Sequence, residues 1–556
     1  MIKITSVFFA FSFFCTQVFS QTTVGLLKEN TAEDGYVLFA PIRSDTTYLI
    51  DKCGRLIHQW GSNHTPGMSE YLLADGSLLR SASIPNRNIR GNGSQGGMIQ
   101  KYDWAGNLLW QDTINAPTYT QNHDIYPMPN GNILAVIWIE IDSTVQMAHG
   151  RKPSLTLGNI WSVRIQEIQP IGTNGGTVVW QWDLIDHVIQ DYDSTKLNYG
   201  VVADHPELVN INYVDSLQKD WTHGNAVIYN PAIDQIIVSS HNLSEIWIVD
   251  HSTTTAQAAA HTGGAHGHGG DLLYRWGNPQ VYNRGTSANR VFYTQHNPNW
   301  IPTGYPHAGS IIIFNNGQGR PGGNASSVDI FTPPIDSNGN YALTAGQPYA
   351  PTSTAWSYQA TVPASFYSNV MGSAQPLASG NVVVCQASQG IFFEIDSNKN
   401  IRWKYQSPVS DNAAVAQGSA IINAGIFRCT QYDASYAAFT GRTLTPMGHI
   451  EGNAILTHCD SIGFTTGISG ISDEAEIMVY PNPADDKLTV IFPNQVDSFS
   501  YQMYDLIGQK IIEGQASRKG SLLDISELRA GVYILKIESN NYHPQKRIIV
   551  THLKTD

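Results

Sequence analysis

Residues 103–112 read DWAGNLLWQD: a Gly106-Asn107 turn, two leucines, then a tryptophan. Gly-Asn between apolar runs is a hairpin signal, because the tight turns that join antiparallel strands need positive φ at a central residue. The same phrase returns as DKCGRLIHQW (51–60), GGTVVWQWDL (175–184), GGDLLYRWGN (269–278) and DSNKNIRWKY (396–405). It alternates with a second phrase, a strand entered through a polar turn: LLADGSLLR (72–80), PMPNGNILAVIW (127–138), YNPAIDQIIVSS (229–240) and PLASGNVVVCQ (376–386). Each repeat is therefore a pair of hairpins, too small to bury its own face, and repeats of this kind are stable when arranged radially. Five clear copies and a poorly matched remainder predict an all-β chain built as a six-bladed β-propeller over residues 21–460. Stacked β-sandwiches fit less well, since the turn-to-tryptophan phrase recurs too regularly for them.

The 556 residues exceed what one core usually serves, so a second, smaller domain is expected. After Cys459 the composition shifts: 461–475 reads as a linker, and 476–556 as a small C-terminal β-sandwich punctuated by Pro481, Pro483, Gly508, Gly514 and Gly531. At the other end, residues 1–20 run from Lys3 through an apolar stretch to small Ser20, the pattern of a signal peptide. No later run is long enough for a membrane-spanning helix, so the exported protein is expected to have no integral membrane segment. A net charge of −13 argues against nucleic acid or an anionic membrane as a general partner. In an oxidising compartment, Cys429 and Cys459 bracket one late segment and are the expected disulfide.

Reactive residues in a propeller matter where loops of several blades converge at the channel mouth. Of His123, His223, His241 and His296, three sit beside blade strands at comparable registers. Neutral imidazole is a nucleophile and its protonated form a donor to anionic oxygen, so converging histidines suit transfer of a phosphate- or sulfate-like group. Two other features read as structure rather than chemistry. The run HTGGAHGHGG (261–270), with His261, His266 and His268, lies among alanines and glycines and reads as a flexible surface insertion, not a metal site. Asp191, Asp193 and Asp204 lack calcium-loop spacing and read as solvated charges. No metal or cofactor is expected.

Motifs in order from Tyr480-Pro481-Asn482-Pro483 through Asp505, Gly508, Asp524-Ile525-Ser526 and Gly531-Val532-Tyr533 resemble the type A C-terminal sorting domain of type IX secretion systems. That resemblance implies the secretion machinery as a partner and delivery, via the periplasm, to the outer-membrane surface or medium. From about Gly35 to Gly463 the chain resembles the bacterial arylsulfate sulfotransferases: Tyr36-Val37-Leu38-Phe39, Asn122-His123-Asp124, Asp220-Trp221-Thr222-His223-Gly224-Asn225, Ser239-Ser240, Gln295-His296, Phe314-Asn315-Asn316-Gly317 and Gly380-Asn381. The resemblance implies a six-bladed propeller that moves a sulfuryl group from an aryl sulfate to a phenol through a sulfohistidine, without a nucleotide donor. By matching motif, His296 is the expected nucleophile, with His123 and His223 flanking the sulfate and His223 the base. Asn225 and His241 are expected to bind substrate. At position 241 the family pattern presents an arginine. Histidine offers only a conditional charge there, which leaves three readings: His241 protonates when the anion binds, another arginine such as Arg275 or Arg164 reaches in, or the scaffold serves a different substrate. A non-catalytic ligand-binding propeller and a sulfatase-like hydrolase are the alternative functions.

Overall fold

A computed structural model describes residues 22–551 apart from 31, 87, 90–95, 215, 456–477, 481–483, 492–497, 506–507, 518–520 and 539–544. The expected signal peptide (1–20) and linker (461–475) lie outside the described residues. The chain divides into two compact units, Met1–Ser461 and Ile462–Asp556.

The first unit is a β-propeller. Its regular structure is dominated by six antiparallel sheets, named here A to F in chain order. Sheet A comprises Ile426–Tyr432, Tyr36–Pro41, Thr46–Asp51 and Leu56–Gly61, and sheet B Pro66–Leu72, Leu78–Ser83, Gly97–Tyr102 and Leu108–Thr113. Sheet C runs Tyr119–Pro127, Ile133–Ile141, Ile160–Pro170 and Gly176–Asp183, with Asn115–Ala116 on its inner side. Sheet D runs Gly224–Asn230, Gln235–Ser240, Glu245–Asp250 and Leu272–Trp276. Sheet E comprises His296–Trp300, Ile311–Asn315, Ser327–Phe331 and Trp356–Tyr358, and sheet F Ser373–Pro376, Val382–Gln386, Ile391–Ile395 and Ile401–Gln406. The strand named first in each sheet abuts its counterparts in the neighbouring sheets, and these contacts close the cycle from A through F back to A.

Both ends of the chain fasten that ring. Ile426–Tyr432 pairs with Tyr36–Pro41 as the inner strand of sheet A, and Gly25–Glu29 pairs with Ile401–Gln406 at the outer edge of sheet F. Long-range pairing at two places ties the termini of the ring to the same pair of neighbouring sheets.

The repeated phrases map onto strand order. The polar-turn phrase joins first to second strands, and the tryptophan phrase joins third to fourth. The tryptophan indole N–H then donates to a carbonyl in the next sheet's third-to-fourth connection. Trp60 reaches Asp103 (3.0 Å), Trp110 reaches Gly175 (2.9 Å), Trp182 reaches Gly270 (2.7 Å), Trp276 reaches Pro351 (2.7 Å) and Trp403 reaches Lys52 (2.8 Å). All five rings are buried, so each supplies a large apolar area and satisfies its one polar atom across a sheet boundary. This is why the phrase ends in tryptophan rather than leucine.

Two expectations need correction. Cys429 is a free thiol packed in the core between sheets A and F, and Cys385 is likewise free and buried, whereas Cys53 is disulfide-bonded. A side chain on the inner strand of sheet A is enclosed by Phe39, Val383 and Phe392, so Cys429 does not serve as a loop staple to Cys459, which lies outside the described residues. The segment 251–271 is also not a loose insertion. A capping box between Thr254 and Gln257 starts the helix Thr255–Ala258, and Gly269 N–H and Gly270 N–H donate back to the Gly263 and Ala260 carbonyls.

The second unit packs a sheet of Met478–Tyr480, Lys487–Ile491 and Ser521–Asp524 with a sheet of Lys510–Ser517, Ser498–Tyr504, Gly531–Glu538 and Gln545–Val550. Leu488, Val490, Leu523, Phe499, Leu535 and Ile537 share its core, the two-sheet sandwich expected of the alternating strands.

Candidate active site

Propeller topology sends one end of every inner strand to the channel mouth, and here those strands are irregular where they arrive. The ladder slips between Pro66 and Glu70, Gln121 and Ile125, Gly224 and Ala226, and His296 and Asn299. Met68, His123, His223, Asn297 and Met371 have positive φ, an uncommon conformation for residues with a Cβ. Bulges re-aim side chains, and backbone held in such regions concentrates at functional sites. The result is a cavity of about 690 Å³ whose wall includes Met68, His123, His223, His241, His296 and Met371.

Four imidazoles meet there in sequence. Ring centroids lie 4.7 Å apart for His123 and His223, 4.6 Å for His223 and His241, and 5.4 Å for His241 and His296. They come from three sheets: His123 on the inner strand of C, His223 and His241 flanking the first two strands of D, and His296 opening the inner strand of E.

Second residues fix how each ring presents itself. The Asn316 amide nitrogen donates to the Ser368 and Met371 carbonyls (2.8 and 2.7 Å), so its Oδ1 faces His296 Nδ1 at 2.7 Å. Because Oδ1 only accepts, His296 Nδ1 carries the hydrogen and Nε2 holds the lone pair of the neutral ring. Asn242 repeats the arrangement, donating to the Asp220 carbonyl (2.5 Å) while its Oδ1 takes His241 Nδ1–H at 2.7 Å. His223 Nδ1–H donates to the Asp220 carboxylate at 2.5 Å.

Burial holds the His296 imidazole down to about 3, with His223 and Arg428 adding to the effect and Asn316 opposing it. His123 and His241 are pushed well below the ordinary histidine range, by burial first and by the neighbouring imidazoles second. His123, His241 and His296 are thus neutral, nucleophile-grade rings until an anion enters. Permanent charge stands close by. Lys219 lines the cavity at its exposed rim and makes no ion pair among the described residues. Arg428, buried on the inner strand of sheet A, pairs with Asp124 at 2.9 Å and donates to Tyr71 Oη at 2.8 Å. Its guanidinium stacks 4.8 Å over the Phe427 ring, which itself lies 5.9 Å from His123 and 6.4 Å from His296.

The structure therefore brings together His123, His223, His241 and His296, and it separates the other two expected site residues from them. Arg275 is fully buried elsewhere in sheet D, forked onto Glu245 (3.0 and 2.5 Å) and bonded to the Pro206 and Leu208 carbonyls. With its donors so committed, Arg275 does not reach the cavity. Arg164 is likewise forked onto Asp183 (2.5 and 2.8 Å). Asn225 is buried beneath the site as a strut: its Nδ2 donates to the Gln295 carbonyl (2.9 Å), while Gln295 Nε2 donates to Ser239 Oγ and the Ser240 carbonyl (3.1 and 3.0 Å). Sequence reasoning passed over Asp220, Asn242, Asn316, Lys219 and Arg428. Asp220 and Asn316 stood inside quoted motifs, whereas nothing in the sequence marks Arg428.

Fold and site together define a β-propeller with a histidine cluster at its channel mouth, a class suited to group transfer. The chain belongs to the arylsulfotransferase (ASST) family, whose model matches residues 31–418. Residues 478–551 match a secretion system C-terminal sorting domain, which directs the chain to secretion and the outer-membrane or cell surface. No helix among the described residues is long and apolar enough to cross a membrane. No curated protein matches. Solved structures that are similar include a protein of unknown function from Bacteroides caccae (11% identity, 72% of this chain and 99% of that one, TM-score 0.38). Another is the periplasmic gluconolactonase of Pseudomonas aeruginosa (11% identity, 88% and 99%, TM-score 0.36).

Proposed function

We propose that the protein transfers a sulfuryl group from an aryl sulfate ester to a phenol, with His296 as the covalent carrier. The observation that carries this reading is the Asn316-fixed tautomer of His296, which supplies a neutral Nε2 lone pair at the wall of the shared cavity. In the first half-reaction Nε2 attacks sulfur, the N–S bond forms and the S–O(aryl) bond breaks, its electron pair leaving on the phenolate. Protonated His223 gives that phenolate its proton. In the second half-reaction the incoming phenol passes its proton to His223, its oxygen attacks sulfur, and the N–S pair returns to His296. A phenol is mostly un-ionised at neutral pH, which is why a base is needed, and the Asp220 carboxylate on His223 Nδ1–H stabilises the charged ring by a charge-assisted bond.

The sulfate oxygens need donors that act strongly in a water-poor site. His123 lies beside His223 to supply one, and His241 becomes a donor by protonating when the anion arrives. Lys219 contributes fixed charge at the rim, the role left vacant by the absent arginine at 241.

The test is to incubate the purified protein with a chromogenic aryl sulfate and look by mass spectrometry for a sulfuryl adduct on His296. Dye release beyond one equivalent per chain should require an added phenol, and all release should vanish in His296→Ala. Absence of both adduct and turnover across several donors and acceptors would overturn the proposal, and turnover independent of phenol would assign a hydrolase instead.

A further inference from the structure

A second histidine cluster lies outside the cavity just described. His187 ends the short turn Leu184–His187 after the outer strand of sheet C, Asp271 immediately precedes the outer strand of sheet D, and His261 follows the helix Thr255–Ala258. We propose that His187 Nδ1, His261 Nδ1 and an Asp271 carboxylate oxygen bind one divalent transition-metal ion, clamping sheet C to sheet D.

His187 is fully buried. Its Nε2 lies 2.7 Å from the Ala258 carbonyl oxygen. A carbonyl only accepts, so Nε2 carries a hydrogen, and the ring turns Nδ1 to Asp271 Oδ1, 2.7 Å away. His261 Nδ1 lies 2.8 Å from the same oxygen. One carboxylate oxygen thus faces two imidazole nitrogens, and the three donor atoms fall within 4.8 Å of one another. No other group of three such donors comes together among the described residues. Hydrogens on the two Nδ1 atoms satisfy these contacts in the metal-free protein, and a cation takes their place by drawing all three donors to itself.

The surroundings support a ligand role for His187. A metal-bound histidine typically donates its other N–H to a backbone carbonyl, which fixes tautomer and ring orientation, and Ala258 provides that acceptor. The Trp182 ring lies parallel to the His187 ring, tilted 3° with centroids 5.7 Å apart, and its indole N–H holds the Gly270 carbonyl next to Asp271. A Cβ at Gly270 would lie 2.6 Å from His187 Nε2, so only glycine lets the two segments close on one another. His261 and Asp271 also line a cavity of about 730 Å³ that shares no lining residue with the His296 cavity. An ion held there is reached from that cavity and has room for a water.

Two imidazoles and one carboxylate suit zinc and its first-row neighbours, whereas calcium and magnesium prefer all-oxygen shells. At metal–ligand distances of about 2.0–2.2 Å, tetrahedral donors stand about 3.3 Å apart. The site therefore opens by about half an ångström on binding, a movement the hairpin bearing His261 can supply.

The experiment is equilibrium dialysis of the intact protein against Zn2+, with metal content measured by mass spectrometry and affinity by competition with a chelator. One zinc per chain is expected, together with a zinc-dependent rise in melting temperature. His261→Ala should weaken binding at least 10-fold and abolish the thermal shift while leaving the metal-free protein folded, because the His261 side chain is 60% exposed. His266→Ala is the control from the same run, since His266 contacts Gln235 and Asn340 instead. Its binding should equal that of the unaltered protein. Failure to bind stoichiometric zinc, unchanged affinity in His261→Ala, or an equal loss in His266→Ala would overturn the proposal and leave a hydrogen-bond network only.

Discussion

The reactivity assigned to His296 depends on a neighbour that never touches the cavity. Asn316 is held by two backbone carbonyls and so cannot turn its amide over without breaking both bonds. Asn316→Ala should cut kcat by up to about 10⁴-fold, the scale on which a wrong imidazole tautomer fails, with a smaller change in KM. Asn316→Asp puts a carboxylate against Nδ1 and favours the protonated ring, so its turnover should be low near pH 6 and climb with rising pH, where the parent is flat. A pH profile of the two variants checks both outcomes. Lys219 acts differently, as an exposed charge at the rim. Lys219→Gln should raise KM for an anionic donor several-fold at low salt, and the difference should fade as added salt screens the charge. The histidines themselves were legible in the sequence because three of the four sit beside a strand of a recurring phrase. His241 is the instructive case: the sequence marked it as a departure, and only the fold shows why neither Arg275 nor Arg164 substitutes for an arginine there, since both are forked onto carboxylates.

At the scale of strands, the tryptophan phrase was readable as a hairpin because turn chemistry and apolar alternation are local. What it was for was not readable, because the acceptor of each indole N–H lies in a neighbouring sheet 43 to 351 residues away. Trp182→Phe keeps most of the apolar area and strands the Gly270 carbonyl, so it should destabilise the propeller by about 1–3 kcal/mol, the range for an orphaned buried polar group. Denaturant unfolding should show a lower midpoint with an unchanged slope. The same locality explains the misreading of residues 251–271. Composition suggests looseness in a segment rich in alanine, glycine and histidine, but the contacts that anchor it come from Asp250, Ser252 and the Trp182 staple. The Cys429 expectation failed for a related reason. Sequence position placed it late in the chain, whereas ring closure makes that late strand the innermost of sheet A, where its side chain is enclosed.

Across the whole propeller, the histidine cluster ties stability to pH. Unfolded histidine protonates near pH 6.5, while burial pushes His123, His241 and His296 below that value in the folded chain, His296 to about 3. Between those limits the unfolded state binds more protons, so stability is complete above about pH 6.5 and is lost as the pH falls. Glu70, Asp124 and Glu245 oppose the trend: burial raises all three, Glu70 to about 8, so their contributions weaken as the pH rises. His241→Gln should remove one histidine's share, flattening the loss by up to about 1.4 kcal/mol per pH unit relative to the unaltered protein. Melting curves from pH 7 to 4.5 on the two proteins measure that difference, and identical slopes would mean that His241 binds protons equally in the folded and unfolded states. An anion in the cavity reverses the penalty on the charged rings, because a ligand that binds only the folded state stabilises it. Inorganic sulfate should therefore raise the melting temperature more at pH 5.5 than at pH 8, and His241→Gln should shrink that gap. A gap unaffected by the substitution would remove His241 from the anion site and leave Lys219 and the other three histidines to neutralise the substrate.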